Sequence, residues 1–111
     1  MRIFHLSEMR GGWFIGDFEP TCLRIGAFEA ACKFYRAGVA EPRHLHRIAT
    51  EFTVIASGRA RMNGRELTTG DIVMLEPGVS ADFEVLEDTI TLVVKVPSVA
   101  GDKLPVPHNE G

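Results

Sequence analysis

The chain has 111 residues, 45% hydrophobic and 24% charged, with Lys+Arg 12 against Asp+Glu 15 and a formal net charge of -3. That length fits one domain with one core, and the interspersed charge gives no electrostatic reason to expect nucleic acid or an anionic membrane as a partner. No apolar run is long enough to span a bilayer, Met1 to Trp13 lacks the apolar stretch of a signal peptide, and Cys22 and Cys32 form no C-x-x-C pair, so a cytoplasmic protein with reduced thiols is expected.

In chain order, Trp13-Phe14-Ile15 and Leu23 to Phe28 are strand-capable, with Gly16 to Pro20 as a loop between them. Phe28 to Tyr35 is an apolar, aromatic run that stops before Gly38, and Phe52 to Ala56 is a β-branched run that stops at Ser57-Gly58. Ala60 to Met62 and Arg65 to Leu67 flank Asn63-Gly64, a tight-hairpin signal because both turn positions need positive φ. Thr69-Gly70-Asp71 turns the chain into Ile72 to Leu75, which ends at Pro77-Gly78; Phe83 to Leu86 and Thr89 to Val96 follow, parted by Glu87-Asp88. Many short strands at even spacing, with no long amphipathic helix, predict an all-β barrel or sandwich. The chain divides into an N-terminal arm over 1–27 that packs on the barrel or on a partner subunit, a barrel over 28–97, and a Pro- and Gly-rich surface tail over 98–111. Open edge strands in so small a barrel need covering, which predicts a homodimer.

The chemistry-bearing stretch is Gly38 to Gly58. His44 and His46 stand two apart, which on a strand puts both imidazoles on one face. Glu51 follows after Arg47 to Thr50, a connection short enough to double the chain back beside them. Two imidazoles and one carboxylate make a facial N,N,O ligand set suited to Fe(II), Mn(II), Ni(II), Co(II) or Zn(II), with open positions for water or a chelating substrate.

The frame around these residues is Gly38, five residues, His44, one residue, His46, four residues, Glu51, six residues, Gly58. It resembles the first motif of the cupins, and Gly70-Asp71-Ile72-Val73 running to Pro77-Gly78 resembles their second. The resemblance implies an all-β double-stranded β-helix, or jelly-roll barrel, with a divalent metal ion held by His44, His46 and Glu51. It covers about half the chain through motifs. Metal-binding cupins carry a further histidine three residues after the second proline-glycine, where this chain has Ala81, and Glu76 stands where many relatives have proline. Asp82 is adjacent, but on an ideal strand it points away from the face of Ala81 and reads as solvent-facing.

Lys33, Tyr35, Glu84 and Lys95 lie inside strand runs and are expected on the solvent face, as such residues usually are. Arg43 and Arg47 have the opposite parity to the histidines and belong outside the cavity; Trp13 reads as a packing anchor, and His5 and His108 have no partner pattern. There is no phosphate loop and no G-x-S-x-G elbow. The resemblance implies a metal-binding enzyme of dioxygenase, decarboxylase or isomerase type, acting on a small chelating or sugar-like molecule. The alternatives are a non-catalytic small-ligand or sugar-binding cupin, and a metal-free sugar-nucleotide isomerase or epimerase.

Overall fold

Short strands broken by glycine turns can bury apolar surface only by stacking two sheets face to face. In the computed structural model, which describes residues 1–107, the chain does this with eleven strands. They are β1 (Trp13–Gly16), β2 (Leu23–Arg24), β3 (Glu29–Tyr35), β4 (Ala40–His46), β5 (Thr50–Ser57), β6 (Arg59–Met62), β7 (Arg65–Thr68), β8 (Ile72–Leu75), β9 (Ala81–Val85), β10 (Thr89–Val96) and β11 (Lys103–Pro105). The six-stranded sheet has the order β2-β1-β3-β10-β5-β8 and the five-stranded sheet β11-β4-β9-β6-β7, so consecutive strands repeatedly cross between sheets in an all-β jelly roll. His108 lies outside the described residues.

The turns obey their chemistry. Asn63 (φ 50) and Gly64 (φ 77) close the β6–β7 hairpin, with Met62 paired to Arg65. Gly58, between β5 and β6, has φ +102, and a Cβ there would lie 2.3 Å from the Asp88 carbonyl oxygen. Only glycine lets β5 pass so close to the turn that starts β10.

Inward residues along β5 run from polar to apolar: Glu51, then Thr53, then Ile55, which is fully buried. Ile55 joins Ala60, Leu67, Phe83 and Val85 in the core cluster, with Tyr35, Met62 and Val73 packed against it. Burying a side chain such as Ile55 is worth about 2–3 kcal/mol. The core therefore fills the Gly58 end of the barrel and leaves the Glu51 end for polar groups.

Two segments behave differently from their sequence expectation. Of Leu23 to Phe28 only Leu23–Arg24 forms a strand, parallel to β1, while β1 itself pairs antiparallel with β3. Of the segment 98–111, expected as a surface tail, the described residues contribute β11, paired with β4 at Lys103–His46, and the buried Asp102. The Asp102 carboxylate accepts hydrogen bonds from the backbone N–H of Ile48 (2.8 Å) and of Ala49 (2.9 Å), fastening the β4–β5 turn. Composition reads a tail here because one buried aspartate weighs nothing against several prolines and glycines.

Gly58→Ala should lower stability by about 3 kcal/mol, from the strained backbone and the backbone clash together. Gly64→Ala, with positive φ but no heavy atom within 4 Å of the added Cβ, should cost about 1–2 kcal/mol. Urea denaturation of the two variants beside the wild type measures both; equal losses would contradict the close approach at Gly58.

Candidate metal centre

The β4–β5 turn, held by Asp102 and by the Gly78 N–H donating to the His46 carbonyl oxygen at 2.8 Å, folds Glu51 back beside the histidines. One potential ligand atom from each of His44, His46 and Glu51 lies within 4.8 Å of the other two. The His44 Nδ1 is 3.1 Å from the Pro42 carbonyl oxygen. A carbonyl only accepts, so Nδ1 carries the proton and Nε2 keeps its lone pair for a ligand.

His46 Nε2 and Glu51 Oε2 are both buried without a hydrogen-bond partner. His46 Nδ1 lies 3.2 Å from Glu51 Oε2, without the alignment of a hydrogen bond. Burial, reinforced by the Lys95 and His44 charges, lowers the His46 pKa to about 4, so the imidazole is neutral near pH 7 and the contact is not an ion pair there. Burial raises the Glu51 pKa, against the pull of Lys95 and His44. A neutral buried imidazole and a poorly solvated carboxylate, both lacking partners, are donors that a divalent cation would satisfy. The residues present therefore fit a metal ion.

A partly open cavity of about 60 Å3 lies among them, room for an ion and part of a small molecule. Ala81, 2% exposed and paired with His44 in register, lines it. Asp82 points outward: its carboxylate meets the Arg43 guanidinium at 3.1 Å and accepts from the Asn63 backbone N–H at 2.8 Å. Arg43 is thereby outside, and Arg47 is exposed. Glu84 is on the outer face with Arg61.

Lys33, Tyr35 and Lys95, expected on the solvent face, instead line the cavity. The register explains it: Lys33 pairs with Thr91, Tyr35 with Thr89, and Lys95 with Glu51, all on the inward parity, whereas Phe34 is 67% exposed outside. In these strands large apolar residues also occupy the outer face, while the inner face carries polar residues beside Ala31 and Val93. Trp13 also lines the cavity, with the Lys33 and Lys95 ammonium groups 5.1 and 4.8 Å from its ring centroid. It is thus more than a packing anchor. His5, by contrast, only caps a single 3-10 turn at Leu6–Glu8 through the Ser7 N–H.

Glu41 is a cavity residue that strand counting misses, because steps of two from His44 pass through Pro42. Glu41 pairs with Phe83 and His44 with Ala81, so two residues of β4, Pro42 and Arg43, stand opposite the single Asp82. This β-bulge turns Glu41 to the same side as the histidines. A proline inside a central strand is the sequence signal for such a bulge. Glu41 accepts a 2.7 Å hydrogen bond from the Tyr35 hydroxyl, and Tyr35 packs on Phe83 at 5.3 Å between ring centroids. Burial first, then the Glu41 carboxylate, pushes the Tyr35 pKa well up, so its proton stays in place.

No family model matches the sequence, and no curated protein matches it. Solved structures do match. A Klebsiella pneumoniae protein with a double-stranded β-helix domain superposes with TM-score 0.71 at 22% identity, over 97% of this chain and 99% of that one. DMSP lyase DddQ from Ruegeria pomeroyi gives TM-score 0.72 at 23% identity over 88% of this chain, which spans 52% of the lyase. An RmlC-like cupin from Shewanella frigidimarina gives 0.63 at 20% identity, over 68% of this chain and 70% of that one. The chain has the cupin fold, the double-stranded β-helix.

Asp102→Ala should destabilise the protein by about 2 kcal/mol, because it strips two turn amides of their acceptor. Burial alone would raise the Asp102 pKa, but the Ala49 and Ile48 amides outweigh it and hold it below the usual carboxylate range. This stabilisation is therefore full above the ordinary aspartate pKa and is lost as pH falls through the depressed folded value. Denaturation midpoints against pH should show that acid limb weakened in Asp102→Ala; an unchanged limb would mean that the carboxylate does not hold the turn.

Proposed function

We propose that this chain is a divalent-metal enzyme that binds Fe, Mn, Ni or Zn through His44, His46 and Glu51 and acts on a small chelating molecule. The observation that carries the reading is the pair of buried, partnerless donors, His46 Nε2 and Glu51 Oε2, converging with His44 on one point. A bound ion would give both atoms the partner that the protein itself does not supply. The printed name of one fold neighbour, a DMSP lyase, supports a catalytic over a purely binding role for the barrel.

Bound there, the ion would supply Lewis acidity toward the oxygens of a chelating substrate. The chain's own groups do the rest. The Pro42 carbonyl fixes the His44 tautomer, and Glu51, buried on β5, brings the negative charge. The small Ala81 leaves space where a fourth protein ligand would stand. Tyr35 donates its hydroxyl hydrogen bond to one Glu41 oxygen, and the Glu41 carboxylate can take a proton from a bound molecule.

Protein purified without a histidine tag should contain close to one equivalent of divalent metal by elemental analysis. His44→Ala and His46→Ala should each lose it with the far-UV circular dichroism unchanged, since the apolar core lies at the other end of the barrel. In a chelator competition Ala81→His should tighten Zn(II) or Ni(II). Full occupancy in either alanine variant would overturn the ligand assignment.

We also propose a homodimer joined through the outer face of the six-stranded sheet. Phe34, Leu92, Ile72 and Met74 are exposed across β3, β10 and β8, with Phe52 and Val54 of β5 between them in register. An apolar strip crossing four strands is larger than a monomer usually leaves in water. Light scattering coupled to size exclusion should give twice the chain mass, and Phe34→Lys with Ile72→Lys should halve it; a monomeric wild type would refute the dimer.

A further inference from the structure

Resting on the metal site proposed above, we infer that Lys33 and Lys95, gathered at the Trp13 ring, form a carboxylate subsite, so that the substrate is a small acid with a chelating group at one end and a carboxylate at the other. Two ammonium groups share one indole, at 5.1 and 4.8 Å from its centroid, on the inner face of the sheet. Like charges so placed repel, and the indole face offsets only part of that cost. Lys95 has Glu29 at 3.8 Å, whereas Lys33 has no ion pair among the described residues. Burial lowers the Lys33 pKa, with Glu41 pulling the other way.

The wider charge pattern points the same way. Lys103 joins Lys33 and Lys95 at the cavity, and the carboxylates beside them are Glu41, Glu51, which belongs to the metal group, and Glu29, 3.8 Å from Lys95. The Asp82 carboxylate is engaged outside by Arg43. With the lysines balanced by Glu29, Glu41 and Glu51, a bound divalent ion would leave the cavity net cationic, so an anionic ligand relieves a charge that a cationic or neutral one does not. The confined volume, about 60 Å3, favours a compact acid over a nucleotide or an oligosaccharide.

Malate and 2-hydroxybutanoate carry the same chelating hydroxy acid and differ only in the distal carboxylate, which is a methyl group in the second. Binding of each is measured by calorimetry on metal-free and on Zn(II)-loaded protein. Wild type should prefer malate by about tenfold, the worth of one charged contact. Lys33→Met should remove most of that preference with Zn(II) affinity retained, Lys95→Met should remove it whatever its effect on Zn(II), since Lys95 pairs with Glu51, and Lys33→Arg should keep most of it. A purely structural lysine would change both ligands alike. If Zn(II) binds but the two acids bind equally, or the methionine variants keep the preference, the carboxylate subsite is wrong and the metal reading stands. If Zn(II) does not bind, the metal reading fails, and the malate preference of the metal-free protein decides the subsite by itself.

Discussion

Buried charge without a partner is the constraint on which this barrel's polar end depends. Glu51 projects inward from β5, the imidazole of His46 beside it is neutral, and burial raises its pKa against the pull of Lys95 and His44, so the carboxylate is only partly compensated. A protein of this size has a total stability of only about 5–15 kcal/mol, and an uncompensated buried carboxylate costs a sizeable part of it. The surrounding structure answers with fixtures. The backbone at Gly78 and the side chain of Asp102 hold the turn that carries two of the three donors, and the Pro42 carbonyl orients the third. Rigidity at the turn keeps the donors converged against their tendency to swing toward water.

The same logic explains how one small barrel holds both a core and a polar cavity. Along β5 the inward side chains pass from carboxylate through hydroxyl to a fully buried isoleucine within five residues. Tyr35 stands at the boundary, its ring on Phe83 and its hydroxyl on Glu41. Stability and chemistry are therefore segregated by depth along the barrel axis, and the tyrosine couples the two regions mechanically.

Much of this was legible in the sequence, for reasons that can be named. Turn residues with required positive φ, such as Asn63-Gly64, mark strand ends whatever the tertiary context. His44, His46 and Glu51 could be grouped because their spacing works locally on a strand pair and its turn. Lys33, Tyr35 and Lys95 were misjudged because which face of a strand is inside is a tertiary fact, and here the outside face carries Phe34 and Leu92. Asp102 escaped notice because its partners, Ile48 and Ala49, are more than fifty residues away in the chain. Local composition is blind to that pairing.

The bulge in β4 has a consequence for how such a cavity can be altered over time. An extra residue resets the inside-outside alternation, so the two halves of the strand are independent in what they present. Loss of either Pro42 or Arg43 would leave one residue opposite Asp82 and restore regular pairing, with Glu41 still opposite Phe83 and His44 still opposite Ala81. A one-residue deletion would thus remove the bulge and keep both the acid beside Tyr35 and the histidines on the cavity side. The bulge is a place where the length of the strand can vary while the donor cluster and the acid that faces it hold their positions.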